Sequence, residues 1–142
     1  MSLTRTVTLV FGAVYVLVGV LGFLGDPIVA EAAHEDMQSA SGDLLGLFPI
    51  NVLHNIVHLA IGAFLLWGST EHDRAVLAAR TVGGVYLLVG LLGFVAPDTF
   101  GLMPIGGNDI WLHLASALVL LGVTYVDKAE RRDTTSGAGP AR

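Results

Sequence analysis

Along the chain the hydrophobic positions fall into four long blocks separated by polar connections. The blocks are Val7–Leu24, Ile50–Gly68, Ala75–Ala96 and Ile110–Val126, all nearly free of charge. A helix that crosses a bilayer needs ~20 such residues, with a range of ~17–25. Their length decides for helix over strand, and the ~10-residue alternating segments of an outer-membrane barrel do not occur. The first block is longer than the ~7–15 residues of a secretory signal core, and Gly25-Asp26-Pro27 is a poor cleavage site, so it reads as a retained helix. The pattern therefore predicts an all-α polytopic membrane protein with four transmembrane helices.

The connections carry the polar residues. Gly25–Asp43 is the longest and is acidic, and its stretch Pro27–Met37 is expected to form a short amphipathic helix at the interface. Ser69–Arg74 is a charged turn, and Pro97–Asn108 is rich in glycine and proline. The expected organisation is a transmembrane domain over 1–126 followed by a mobile cytoplasmic tail over 127–142.

An internal repeat organises the helices further. Gly12–Leu24 (GAVYVLVGVLGFL) and Gly83–Val95 (GGVYLLVGLLGFV) share 9 of 13 positions at an offset of 71. Gly46–Ala60 and Gly101–Ala115 share 7 of 15 at an offset of 55. This predicts two helical hairpins of one design, about 5–68 and about 75–126, inserted in the same sense and related by a pseudo-two-fold axis along the membrane normal. Gly12, Tyr15, Gly19 and Gly22 share one helix face, and Gly83, Tyr86, Gly90 and Gly93 repeat it. Such a face serves either close helix packing in lipid or a groove for a lipid tail, quinone or pigment.

Composition sharpens the class. The chain is 54% hydrophobic and 13% charged, against ~45–50% and ~25% in soluble domains. Its net charge of −5 gives no electrostatic basis for nucleic-acid binding. The absence of cysteine excludes disulfides, thiolate-ligated metals and thiol catalysis. All seven basic residues (Arg5, Arg74, Arg80, Lys128, Arg131, Arg132, Arg142) lie on the side of the termini and the middle turn. The positive-inside rule then places both termini in the cytoplasm, in an inner (plasma) membrane protein.

The polar residues inside the apolar blocks are the candidate chemistry. His54 and His58 lie four apart on one face of the second helix, and the repeat aligns them with Asp109 and His113. Asn51, Asn55 and Asn108 lie nearby. Such groups are costly at membrane depth and should face the bundle interior. At ~1.5 Å per residue, Tyr15 and His58 lie at similar depth, as do Tyr86 and His113, while His54 and Asp109 lie ~6 Å further out. One reading is a pair of structural Tyr–His hydrogen bonds. A second is a transition-metal site made by His54, His58, Asp109 and His113. A third is a haem ligated by His58 and His113. A fourth is a path for protons, ions or small molecules, which would require an oligomer at this size. Ser116 and Thr124 have no base and orienting acid arranged around them, so no enzyme activity is expected. Trp67 and Trp111 read as interfacial anchors.

The stretch Gly-Leu-Phe-Pro-Ile-Asn-x-Leu-His-Asn-Ile-Val-His-Leu over Gly46–Leu59, and Asn-Asp-Ile-Trp-Leu-His over Asn108–His113, resemble the hallmark of a family called domain of unknown function 4383. Its members are small four-helix prokaryotic membrane proteins. The resemblance covers roughly residues 5–125. It implies His54, Asn55, His58, Asn108, Asp109 and His113 as the family's polar signature, and it implies no activity. The expected role is a non-enzymatic structural or accessory membrane subunit. Its partners would be the lipid bilayer and either other membrane proteins or further copies of itself. A metal- or haem-binding protein is the alternative.

Overall fold

The structure is a computed structural model that describes residues 1–24, 29–31 and 42–136. Four helices dominate it: α1 (Leu3–Leu21), α2 (Val52–Gly68), α3 (His72–Leu92) and α4 (Asn108–Ser136). Three are long and apolar enough to cross a membrane, while α2, at 17 residues, is shorter. Two of them, α1 and α2, start where a polar side chain receives a free backbone N–H. Ser2 accepts from Arg5 N at the start of α1, and Asn51 accepts from His54 N at 2.8 Å at the start of α2. Arg5 reaches across to donate to the carbonyls of Ser69 and Thr70, both at 2.9 Å, where the C-terminus of α2 favours a cation.

Helix α1 packs chiefly on α2, and α3 on α4. The glycine faces make this contact. A Cβ on Gly12 would lie 2.8 Å from Leu66 N, and one on Gly19 would lie 2.8 Å from Leu59 Cγ. In the other pair, Gly83 meets Leu121 Cγ at 2.8 Å and Gly90 meets Leu114 Cγ at 2.9 Å. These contacts correspond under the two sequence offsets. Leucines fill the space beside the glycines, so these faces serve packing and leave no groove for a ligand.

Polarity is distributed as lipid requires. Leu17, Leu88 and Leu118 are 56%, 68% and 75% exposed, whereas Thr4 and Thr8 are fully buried. The apolar core is formed by Tyr15, Leu65, Ala78, Ala79, Val82, Tyr86, Ala117 and Leu120.

The all-α expectation needs correction. Three short strands, β1 (Val29–Glu31), β2 (Gly42–Leu44) and β3 (Phe48–Ile50), form an antiparallel sheet in that order. Leu44 pairs with Val29 on one side and Phe48 on the other. The amphipathic helix expected over Pro27–Met37 is thus a strand at 29–31, and its other residues lie outside the described ones. The turn after β2 holds Leu45 and Gly46 at φ of 55° and 68°. Their repeat equivalents, Phe100 and Gly101, adopt 58° and 83°. A left-handed residue costs roughly 1–2 kcal/mol when it is not glycine. Leu44, Ile50 and Ile105 are nearly completely buried, so both connections fold back over the helix ends. At the other end, α4 continues through Ser136, so the segment expected to be a tail from Asp127 begins as helix. Residues 137–142 lie outside the described ones.

Candidate metal centre beneath the loop cover

Placing Asn51 as the cap of α2 puts His54 and His58 on successive inward turns of that helix. On α4, Asp109 and His113 face them. Four residues converge here and all are buried: His54 is 3% exposed, Asp109 2%, and His58 and His113 6% each. His54 Nε2 lies 3.7 Å from Asp109 Oδ2, and His113 Nδ1 lies 3.6 Å from the same oxygen. One possible ligand atom from each of His54, Asp109 and His113 falls within 4.8 Å of the others.

The hydrogen bonding leaves donors for a further partner. His113 Nδ1 is 2.7 Å from the backbone carbonyl of Asp109. Donation there fixes the ring and leaves the free lone pair on Nε2, the nitrogen other than the one 3.6 Å from Asp109 Oδ2. Asp109 Oδ2 and His54 Nδ1 are buried with no hydrogen-bond partner. Buried polar groups are nearly always satisfied, and each orphan costs ~1–3 kcal/mol.

His58 stands apart from the trio. Its ring is 4.5 Å from that of His54 and 5.4 Å from that of Tyr15, but it does not join His54, Asp109 and His113 in the convergent group. The four-ligand set expected from the repeat therefore reduces to three. The cause is depth: His58 lies one helical turn, ~6 Å, beyond His54 along α2, whereas the His113 ring bends back to Asp109, whose carbonyl its Nδ1 meets at 2.7 Å.

The Tyr–His hydrogen bonds are also corrected. Tyr15 and Tyr86 do sit against His58 and His113, with the Tyr86 and His113 rings 4.9 Å apart and edge-on. These are ring contacts. The Tyr15 hydroxyl donates instead to Ser116 Oγ at 3.2 Å, and the Tyr86 hydroxyl makes no hydrogen bond of ordinary length. Ser116 was the residue that sequence reasoning passed over. Its place one turn below His113, on the inward face of α4, was the available signal.

The asparagines serve the scaffold. Asn55 Nδ2 donates to Gly22 O at 2.8 Å, Asn51 Nδ2 to Leu102 O at 2.9 Å, and Asn108 Nδ2 to Leu47 O at 3.3 Å. Asn51 and Asn108 thus tie the connection at this end of each hairpin to the other hairpin and hold the cover over the histidines. Trp67, 46% exposed, lies under the Arg74 guanidinium at 5.4 Å, and Trp111 is 65% exposed.

A cavity of about 100 Å³ adjoins the cluster, lined by His54, His58, Tyr86, His113, Met103 and Ile105 among others. It has room for an ion with water and is smaller than a porphyrin. Further along the bundle the buried layer is apolar, with Leu65, Ala79, Val82 and Leu120. Beyond it a second polar group closes the opposite end. Thr4 N donates to Asp127 Oδ2 at 2.9 Å, and Ser2 Oγ is 2.9 Å from His72 Nδ1. The apolar layer separates the two polar ends, so the titratable residues form no continuous path between them among the described residues.

Helices this apolar, packed through glycine faces around a buried His/Asp centre, define a polytopic helical protein compatible with a membrane. The chain belongs to the family described as Domain of unknown function (DUF4383), which matches residues 5–126. No curated protein and no solved structure matches it.

Proposed function

We propose that the protein is an integral membrane protein that crosses the plasma membrane four times as two like-oriented hairpins. Both termini face the cytoplasm, and a divalent transition-metal ion is held at the outer end of the bundle. The equivalent glycine–leucine contacts in the two hairpins support the repeated architecture. Helix α2 reaches sufficient length when Asn51 and the buried Ile50 before it are counted with its 17 residues. The described basic side chains gather at the end where Arg5 meets Ser69 and Arg80 meets Thr124, which supports a cytoplasmic location for that end.

The metal reading rests on one observation: His54, Asp109 and His113 bring possible ligand atoms within 4.8 Å of one another. Bonds of ~2.0–2.2 Å to nitrogen and oxygen ask these donors to move inward by only a few tenths of an ångström. Two histidines and one carboxylate suit zinc, iron, nickel or copper, and three protein ligands leave a position for water or an exogenous ligand. The proposed role is accessory rather than catalytic. Among the described residues Ser116, the serine one turn below His113 on α4, has its hydroxyl engaged by Tyr15.

Elemental analysis of gently purified protein, repleted with zinc and washed free of excess, tests this. About one ion per chain is expected, lost in His54→Ala, Asp109→Ala and His113→Ala and largely retained in His58→Ala. Substoichiometric metal in the repleted protein, or full retention in the three variants, would leave only a structural role for the cluster.

A further inference from the structure

The two hairpins correspond closely, and one place where they differ points to a ligand. On one side of the bundle, Tyr15 of α1 donates to Ser116 of α4. The sequence offsets map Tyr15 to Tyr86 and Ser116 to Ile61. On the other side, therefore, Tyr86 of α3 faces an isoleucine of α2 where its counterpart has a hydroxyl. Tyr86 is 2% exposed, its ring lies 5.4 Å from that of Tyr15, and its hydroxyl makes no hydrogen bond of ordinary length. His58 Nδ1, on the same side, is also buried and unpartnered.

Space is present at that point. Ile61 and Val85 line both the cavity of about 100 Å³ beside the histidines and a second, apolar one of about 220 Å³. The second runs between α2 and α3 and is lined also by Ala60, Phe64, Thr81 and Val82. A mostly apolar pocket, edged by the rings of His54, His58, Tyr86 and His113, thus adjoins a second apolar hollow along the α2–α3 seam. Each alone is smaller than the ~300–1,000 Å³ of small-molecule sites, and together they reach that range.

We infer that this seam binds a neutral amphiphile of the quinone class, with its flat carbonyl-bearing ring beside Tyr86 and His58 and its apolar tail between α2 and α3. The Tyr86 hydroxyl donates to one ring oxygen, taking from the ligand the acceptor that Ser116 supplies to Tyr15. His58 Nδ1, in the tautomer that carries the proton there, donates to the other. Aromatic faces on Tyr86, His54 and His113 suit a flat ring. Neither cavity is lined by lysine or arginine, so nothing at the site compensates an anionic phospholipid head. The inference concerns binding alone and stands independently of the metal.

The test is equilibrium binding of a benzoquinone with a ten-carbon alkyl chain to the full chain in lipid nanodiscs, with empty discs as background. Saturable binding of one molecule per chain is expected. Tyr86→Phe should weaken it about tenfold while leaving metal content unchanged, and Tyr15→Phe should alter it less than twofold. Ile61→Ser copies the residue of the other hairpin, so it should fold, give Tyr86 an internal acceptor and weaken binding as well. Uptake no greater than in empty discs would overturn the inference, as would equal affinity in wild type and Tyr86→Phe. Equally tight binding of the ten-carbon alcohol would show a groove for alkyl chains alone and overturn recognition of the ring.

Discussion

Replacing Gly62 by alanine probes a close approach between two helix backbones. A Cβ there would lie 2.7 Å from Val16 N and 2.9 Å from Gly12 O. Both are backbone atoms that no rotamer change can move. An ordinary Cβ contact begins near 3.4 Å, so α1 and α2 must separate by up to 0.7 Å (3.4 minus 2.7) along this line. In lipid the helices are held largely by dispersion, and a gap of ~0.5–1 Å forfeits a quarter to a half of each contact's attraction. Overpacking of this kind costs ~1–3 kcal/mol. Alanine returns ~0.5–1 kcal/mol because glycine loses more backbone entropy on folding. The net expectation for Gly62→Ala is a loss of about 1–2 kcal/mol. Gly84→Ala is the control, since a Cβ there meets nothing within 4 Å, and it should stabilise by up to about 1 kcal/mol. Unfolding in mixed detergent micelles by rising dodecyl sulfate, followed by helical circular dichroism, measures both. Equal stability of the two variants would refute the close backbone approach and with it the packing role of the glycine faces.

Removal of Asp127 should destabilise the end of the bundle at which α1 begins. Its carboxylate accepts from Thr4 N, and hydrogen bonds to charged groups contribute ~1.5–3 kcal/mol, so Asp127→Ala should lower the same unfolding midpoint while leaving bound metal intact. Tyr15→Phe and Ser116→Ala should each cost about 1 kcal/mol, and the double variant little more than either alone, because they remove one hydrogen bond between them; strict additivity would contradict it. Metal retention should fall at acid pH, below the ~6.5 of a free histidine, because protons compete with the ion for the ring nitrogens; retention unchanged down to pH 2 would contradict ligation by histidine. The chain has no native cysteine, so Asp98→Cys should react with an impermeant maleimide in intact cells and Thr70→Cys only after permeabilisation, and the reverse pattern would invert the proposed topology.

Some of the site was legible in one dimension. His54 and His58, or Asp109 and His113, are four apart, and a helix puts such residues on one face. The cost of polar groups among apolar ones turns that face inward. The strands were not legible. Each has three residues, too few to show an alternating pattern, and their pairing brings together positions as far apart as Val29 and Leu44. The role of Asn51 and Asn108 was hidden for a similar reason, since each reaches a backbone carbonyl more than fifty positions away.

The sequence by itself determined the four helices, their repeated glycine faces and the level of each buried polar residue. Hydropathy, block length and helical rise are local quantities, read without knowledge of any neighbour. Only the tertiary structure decided which of those residues meet. The setting of α2 against α4 and the turn of the His113 ring back onto the Asp109 carbonyl bring His54, rather than His58, together with Asp109 and His113. The packing of α1 against α4 gives Tyr15 its serine, and the corresponding packing of α3 against α2 leaves Tyr86 beside Ile61. These outcomes depend on how leucines seat against glycines across each helix pair. That close-range fit between surfaces distant in sequence is invisible to the pattern along the chain.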